Sequence, residues 1–159
     1  MIISTPGSGL VRSAILLVSV CFIGFAAAVV ADDADTLYKA AGDGDANKVA
    51  ALLDGGLDVN ARTSTGSYAL NNAAVENAVE VISVLLERGA DPNVQNRQGD
   101  TPLICATKYA GGKASTVKLL VEAGTDLEIK DDKNKTALDY AREKEQREAI
   151  AVIEIALME

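Results

Sequence analysis

The sequence repeats itself with a period of about 33 residues from Asp35 onward, and this period limits what the chain can fold into. Two series of residues share spacings of 33, 33 and 35: Leu37, Leu70, Leu103 and Leu138, and Ala40, Ala73, Ala106 and Ala141. A third series is spaced by 33, 35 and 33: Val49, Ile82, Val117 and Ile150. The two extra residues therefore fall between Ala106 and Val117, where Gly111 and Gly112 stand. A fixed period of this length predicts a stack of similar units.

Local signals predict two helices and a loop in each unit. Thr101-Pro102 is typical of a helix start, with Thr as the N-cap and Pro at the first helical position, and Thr136 and Asp35 hold the equivalent cap position. Residues 81–86, VISVLL, predict an amphipathic second helix. The connection to the next unit then turns at residues that tolerate a positive φ: Gly66, Gly99 and Asn134. Each unit is predicted to be helix, turn, helix and hairpin-like loop.

Three segments resemble the ankyrin repeat: Thr101-Pro102-Leu103, Ala73-Ala74 and residues 85–93, LLERGADPN. The resemblance implies an all-α ankyrin-repeat solenoid of four helix-turn-helix units joined by β-hairpin-like loops. The units are expected at about residues 35–62, 63–95, 96–130 and 131–159 of a domain spanning 32–159. The usual histidine of the family is replaced by Tyr38, Asn71, Ile104 and Asp139, which leaves Asn71 as the polar side chain able to tie neighbouring loops.

The ends of the array are expected to be polar, because an outermost unit has no neighbour on one side. Glu154 stands where Leu53, Leu86 and Val121 stand in the earlier units, and residues 142–148 read REKEQRE. The first unit starts at Asp35, without a preceding loop. We therefore expect four units with both ends closed.

An apolar leader precedes the repeats. Residues 14–30, AILLVSVCFIGFAAAVV, carry no charge, follow Arg12 and are followed by Ala31 and a cluster of aspartates. This pattern predicts a signal peptide at residues 1–31 that is cleaved after Ala31, with an earlier site at residues 26–28 and an uncleaved anchor helix as alternatives. In either form the repeats are expected outside the cytoplasm, in the periplasm or secreted, and the protein is expected to be bacterial.

Composition excludes several classes of function. The chain has no histidine, so Ser-His-Asp and Cys-His machinery and imidazole metal sites are ruled out. Beyond the leader, 14 basic and 23 acidic residues give a net charge of −9, which argues against nucleic-acid binding. Residues 43–54 begin like a calcium-binding EF-hand loop, but Lys48 replaces the required glycine and Asp54 the final glutamate. We predict no enzyme activity, no metal and no cofactor.

Two further motifs are interpreted as structural or incidental. Cys105 lies in a predicted first helix and is expected to be a small buried residue and not a reactive thiol. Asn134-Lys135-Thr136 matches the N-glycosylation sequon, but Thr136 already serves as a predicted helix cap.

Binding of a protein partner is the expected function, and the resemblance implies where it occurs. Ankyrin arrays bind targets through the loop tips, which here are Ser64, Thr65, Ser67, Arg97, Gln98, Asp100, Asp132, Lys133 and Lys135. They also use the exposed edge of the first helices, here Val75, Glu76, Lys108, Tyr109, Glu143 and Lys144. The chain is expected to be a monomeric, non-catalytic binding module with no membrane contact beyond the leader. The alternatives are an envelope inhibitor or immunity protein against a toxin or hydrolase, and a stress-protective partner of an envelope enzyme.

Overall fold

The computed structural model describes residues 33–158, which form eight helices joined by turns and loops. Helix α1 covers residues 33–42. The others are α2 (Ala46–Asp54), α3 (Ala69–Val75), α4 (Val79–Glu87), α5 (Pro102–Lys108), α6 (Ala114–Glu122), α7 (Ala137–Glu143) and α8 (Arg147–Ala156). No strand occurs between residues 33 and 158. The all-helical architecture predicted from the repeat is confirmed, and the leader predicted at residues 1–31 lies outside the described residues.

The helices form two layers that stack in chain order. Helices α3, α5 and α7 pack successively in one layer, and α2, α4, α6 and α8 pack successively in the other. In the second, third and fourth units the two helices also contact each other: α3 and α4, α5 and α6, and α7 and α8. The first helices approach closely because an alanine lies at the same fully buried position in every unit: Ala40, Ala73, Ala106 and Ala141.

Side-chain caps begin two of the first helices as predicted, and the third predicted cap is wrong. The Thr101 hydroxyl accepts a hydrogen bond from the Ile104 amide at 3.2 Å. Thr136 and Asp139 form a reciprocal capping box. Asp35, by contrast, lies within α1, and its carboxylate accepts hydrogen bonds from the amide and hydroxyl of Ser64 at 3.2 and 2.9 Å. It therefore links the first helix to the next loop.

The loops between units are tight turns, which we call finger loops: residues 63–67, 96–100 and 131–135. Each is closed by a backbone hydrogen bond from its first amide to its last carbonyl, at 2.9, 3.1 and 3.0 Å. Their tips have positive φ at the three residues predicted from the sequence, Gly66, Gly99 and Asn134. The Asp132 amide also donates to the Gln98 carbonyl at 3.0 Å, so the second and third finger loops bind each other.

The two-residue insertion lengthens the turn inside the third unit, as predicted. Residues 109–113 separate α5 from α6, where residues 76–78 and 144–146 separate the corresponding helices of the neighbouring units. Both neighbours hold this longer turn in place. Asn77 Nδ2 donates to the Ala110 carbonyl at 3.0 Å, and Gln146 Nε2 donates to the Thr107 carbonyl at 2.7 Å.

The last unit is polar over part of its outer surface only. Most of residues 142–148 are exposed, and Arg142 pairs with Glu154 at 2.7 Å, in agreement with the predicted polar exterior. The end of α8 and the turn after it nevertheless expose apolar side chains: Ile155, Leu157 and Met158. These three residues are exceptions to the predicted polar exterior of the last unit. Over residues 33–158, no helix has the length and apolarity needed to cross a bilayer.

The turn of the third unit supplies a test of the packing between units. At Gly112 the φ is +60°, and an added Cβ would lie 2.1 Å from Gln146 Oε1 and 3.1 Å from the Ala149 Cβ. At Gly111 the φ is +77°, but a Cβ would meet no atom within 4 Å. Both alanine variants incur a left-handed backbone cost of about 1–2 kcal/mol. Gly112→Ala should lower the free energy of unfolding, measured in urea, by about 1–3 kcal/mol more than Gly111→Ala does, because it displaces Gln146 from the Thr107 carbonyl. Equal losses would contradict this packing.

Candidate functional site

Most of the residues predicted to bind a partner lie on the accessible rim of the stack. Those that are exposed are Ser64, Thr65, Glu76, Arg97, Gln98, Tyr109, Asp132, Lys133, Glu143 and Lys144. Ser67, Val75 and Lys135 are half-buried, and the Lys135 ammonium pairs with the Glu143 carboxylate at 2.5 Å. These side chains belong to the three finger loops and to the ends of α3, α5 and α7.

Two predicted contact residues are wrongly placed by the sequence analysis. Asp100 was assigned to an exposed tip, but it is fully buried at 0 % exposure. The Lys108 side chain was assigned to an open helix edge, but only 11 % of it is exposed. The reason is that these two side chains bind each other: Lys108 Nζ lies 2.7 and 3.0 Å from the two carboxylate oxygens of Asp100.

The pair belongs to a larger group, the Lys108 cluster, which also contains Asp131, Tyr109 and Tyr140. Lys108 Nζ lies 3.1 Å from Asp131 Oδ2, and the Tyr140 hydroxyl donates to the same oxygen at 2.6 Å. The Tyr109 hydroxyl donates to Asp100 Oδ2 at 3.2 Å. The ammonium also lies 5.2 and 5.1 Å from the centroids of the two tyrosine rings, which is cation–π distance. The cluster therefore fastens two finger loops to α5 and α7.

Hydrogen bonding fixes the charge states in this cluster. Burial alone would raise the pKa of Asp131, but hydrogen bonds from the Tyr140 hydroxyl, the Lys135 amide and the Lys108 ammonium outweigh it and hold that pKa well below its usual range. Burial would lower the pKa of Lys108, but its bonds to Asp100 and Asp131 raise it instead. Burial, and then the bond to Asp131, raise the pKa of Tyr140 to about 12. The pKa directions of Asp131 and Lys108 both favour the ionised forms, so this pair is an ion pair at neutral pH.

Beside this cluster a cleft of about 340 Å³ opens across the first three units; we call it the palm cleft. Four of its lining residues are among the predicted contact residues: Ser67, Val75, Gln98 and Tyr109. Five others line it as well: Tyr38, Asn71, Asn72, Asn96 and Cys105. The lining carries no charged side chain, although the chain as a whole has a net charge of −8. The cleft therefore offers hydrogen-bonding and aromatic groups to whatever enters it.

Two asparagines of α3 define the polarity of the palm cleft. Asn71 Nδ2 donates to the Asp100 carbonyl at 3.0 Å, and Asn72 Nδ2 donates to the Tyr38 carbonyl at 2.9 Å. The first bond confirms Asn71 as the side chain that ties unit two to the next finger loop. Asn71 Oδ1 is buried and has no hydrogen-bond partner. An unpaired buried acceptor costs about 1–3 kcal/mol, so this oxygen is a strong acceptor site for a donor group.

Thiol and metal chemistry find no support in the described residues. Cys105 is 1 % exposed, as predicted, and burial raises the pKa of its thiol to about 12, which opposes formation of a nucleophilic thiolate. The EF-hand-like segment forms a turn and α2, where Asp45 caps the helix by accepting from the Lys48 amide at 2.9 Å. From residue 33 to residue 158, no three acidic or cysteine side chains gather as a metal site would require.

The sequence pattern did not indicate five of the nine residues that line the cleft, for identifiable reasons. Tyr38 and Asn71 stand at the position of the family's histidine, so the sequence shows that they depart from the family pattern. It does not show that they line a binding cleft. Asn72 and Asn96 carried no signal, because a single polar residue in a helix or a loop is ordinary. The Lys108 cluster was invisible for another reason. Lys108 meets Asp100 and Asp131 only after the loop and the helix are stacked.

Comparisons with known protein families identify the repeat. One family profile, described as ankyrin repeats (3 copies), matches residues 89–154, and another, described as ankyrin repeats (many copies), matches residues 52–106. Together they cover residues 52–154, which is more than half of the chain. The chain belongs to the ankyrin-repeat family. Ankyrin repeats are a generic protein–protein interaction module and are typically non-catalytic.

The relatives of this ankyrin array are segments of much longer proteins. E3 ubiquitin-protein ligase KEG of Arabidopsis thaliana is 38% identical over 91 residues, 57% of this chain and 6% of that protein. The 2-5A-dependent ribonuclease of Mus musculus is 38% identical over 78 residues, 48% of this chain and 11% of that protein. E3 ubiquitin-protein ligase Ufd4 of Drosophila melanogaster is 32% identical over 109 residues, 65% of this chain and 4% of that protein. The similarity lies in the repeats alone.

The Lys108 cluster predicts how stability depends on pH. Because the pKa of Asp131 is held below its usual value of 3.8, its contribution to the free energy of unfolding is complete above that value and is lost as the pH falls toward the lower, folded-state pKa. Asp131→Asn should therefore lower the free energy of unfolding by about 1.5–3 kcal/mol at pH 7, and by less below roughly pH 4.

Urea unfolding at pH 7, 5, 4 and 3 measures this difference, with the exposed neighbour Asp132→Asn as the matched control. The control should change the free energy of unfolding by less than about 0.5 kcal/mol at every pH. A loss in Asp131→Asn that stays constant from pH 7 to pH 3 would show that the ionised carboxylate contributes nothing through the cluster.

Proposed function

We propose that this protein is an exported, non-catalytic ankyrin-repeat module that binds a protein partner through the palm cleft and the finger-loop tips. The observation that carries the proposal is the convergence of Ser67 and Val75 of the second unit with Gln98 and Tyr109 of the third on one cleft of about 340 Å³. Tyrosine is enriched among the residues that dominate interface energies, and Tyr109 is 54% exposed at the cleft.

The surroundings of the cleft favour a binding role because they are held rigid in advance. The Lys108 cluster fixes the second and third finger loops, and the Asn71 amide fixes the second loop to α3. A loop that is already ordered loses little conformational entropy when a partner binds. The cleft can therefore bind a partner without first being organised by it.

The chemistry of the lining favours binding over catalysis. Only Tyr38, Tyr109 and Cys105 among the lining residues can titrate, and burial raises the pKa values of Tyr109 and Cys105. General acid–base catalysis requires a group with a pKa near the working pH and within reach of the reacting atom. The lining offers instead neutral amides, a hydroxyl and two aromatic rings, which suit recognition.

Export is the second part of the proposal. It rests on residues 1–31, where Arg12, the uncharged run at residues 14–30 and Ala31 have the order of a signal peptide. Cleavage after Ala31 would release the repeats into the periplasm or the medium of a bacterial cell, whereas an uncleaved leader would tether them to the outer face of the membrane.

The acidic surface favours a more specific function among protein-binding modules, the binding of a basic partner. Residues 32–159 carry a net charge of −9, which would steer a basic target toward the array. An envelope inhibitor or immunity protein against a basic toxin or hydrolase fits this charge, and so does a stress-protective partner of a basic envelope enzyme. Either version requires an association rate that falls as ionic strength rises.

The palm cleft is tested by substitution and capture. We expect Tyr109→Ala and Gln98→Ala each to weaken partner binding by about tenfold or more, because each removes contact area at the centre of the proposed interface. The measurement is affinity capture from the exported fraction with equal amounts of wild type and variant, followed by titration of the captured partner.

Lys118→Ala is the matched control, because Lys118 lies on α6 outside the cleft lining and its side chain is 67% exposed. Circular dichroism of each variant checks that the helices remain. Capture that survives both cleft substitutions unchanged, or that is lost equally with Lys118→Ala, would place the interface elsewhere.

The leader is tested separately. We expect a mature N-terminus at Asp32, detected by mass spectrometry of the protein recovered from the producing cell, and we expect Arg12→Glu to reduce export because it removes the basic charge that orients the leader. A full-length chain found only in the cytoplasm would overturn the export proposal and leave the cleft proposal standing.

A further inference from the structure

The two asparagines of α3 leave only acceptor capacity at the palm cleft. The amide nitrogens of Asn71 and Asn72 are both used by backbone carbonyls, of Asp100 and Tyr38. The oxygen of Asn71 has no partner, and no hydrogen bond to the oxygen of Asn72 occurs within residues 33–158. Asn71 and Asn72 both line the cleft, so a group that pairs with their side-chain oxygens, including the buried oxygen of Asn71, must bring donors.

The aromatic lining and the local charge specify the donor further. Tyr38 and Tyr109 line the cleft on α1 and beside α5, on either side of the asparagines of α3. A tyrosine ring attracts a cation near its face. The Lys108 ammonium beside Tyr109 is bound by the carboxyl groups of Asp100 and Asp131, so it is not free to attract an anion to the cleft. The Lys144 ammonium is likewise bound, by the Lys108 carbonyl. Glu76, Arg97 and Lys39 are exposed charged residues that adjoin the lining residues Val75, Gln98 and Tyr38 in the sequence.

We propose that the palm cleft binds an arginine side chain of the partner, with the guanidinium donating to the amide oxygens of Asn71 and Asn72 and lying against Tyr38 or Tyr109. A guanidinium fits better than an ammonium, because it is planar, carries five donors and stacks on aromatic rings. This inference rests on the proposed binding function and assigns the chemistry of the residue recognised there.

Chemical-shift titration of the ¹⁵N-labelled protein, in the form that the producing cell delivers, tests the assignment directly. The probe is the blocked peptide acetyl-Gly-Ser-Arg-Ser-Gly-amide at 0.15 M salt. Three otherwise identical peptides carry citrulline, lysine or glutamate in place of arginine. Citrulline matches the shape of arginine without the charge, and lysine matches the charge without the planar set of donors.

We expect the arginine peptide to shift the side-chain amide signals of Asn71 and Asn72 saturably, and to bind at least tenfold more tightly than the citrulline peptide and severalfold more tightly than the lysine peptide. The glutamate peptide should cause no saturable shift. Equal binding of arginine and citrulline, or of arginine and lysine, would overturn the assignment, as would saturable binding of the glutamate peptide or no binding by the arginine peptide at 10 mM.

Substitution in the lining adds an independent readout. Tyr38→Leu should reduce the affinity for the arginine peptide by about fivefold, because the cation–π contact is lost. Tyr68→Leu is the matched control, since Tyr68 is also half-buried but does not line the cleft. The same loss in both variants would argue against the assignment.

This experiment can fail separately from the proposed function. If the arginine peptide does not bind but capture still depends on Tyr109 and Gln98, the cleft binds a partner by other chemistry. If the peptide binds at Asn71 and Asn72 but no partner is captured from the exported fraction, the arginine assignment stands and the export or capture proposal is wrong.

Discussion

Burial shared between neighbouring units is the constraint on which the whole structure depends. A two-helix unit is too thin to bury its own apolar face, so each unit buries it against the next. Ala73 and Ala106 are both at 0% exposure, and so are Ile82 and Val117 in the second layer. The last unit has no neighbour beyond it, and there Ile150, the counterpart of Ile82 and Val117, is only half-buried. Leu138, the counterpart of the buried Leu70 and Leu103, is half-buried as well. The period of the sequence is the consequence of this packing.

The same stacking that buries the apolar faces creates the palm cleft. Equivalent residues of successive units lie side by side. A change of residue type from one unit to the next therefore changes the shape and the chemistry of the surface. The position occupied by Tyr38 in the first unit holds Asn71 in the second, and Tyr109 projects from the longer turn of the third. A ligand cleft in such a stack therefore arises from differences between units.

This explains which features could be predicted from the sequence. Helices, caps and loop tips are encoded by neighbouring residues, so Thr101-Pro102 and Gly99 were sufficient to place them. Asp35 was misplaced because a cap and a helix-to-loop link use the same carboxylate chemistry. The link to Ser64 depends on a contact across 29 residues. The Lys108 cluster escaped prediction for the same reason, since charged residues in loops and at helix ends are assumed to face water.

The buried charges and the unsatisfied oxygen in the cleft are physically connected. Asn71 could turn its amide to pair Oδ1 with a donor, but this would remove the bond from Nδ2 to the Asp100 carbonyl at 3.0 Å. The Asp100 backbone cannot follow, because its carboxylate accepts two bonds from Lys108 and one from Tyr109. The charge cluster thus fixes the loop, the loop fixes the orientation of Asn71, and that orientation keeps an acceptor unpaired. A rigid loop is therefore a requirement for the cleft to retain affinity for a donor.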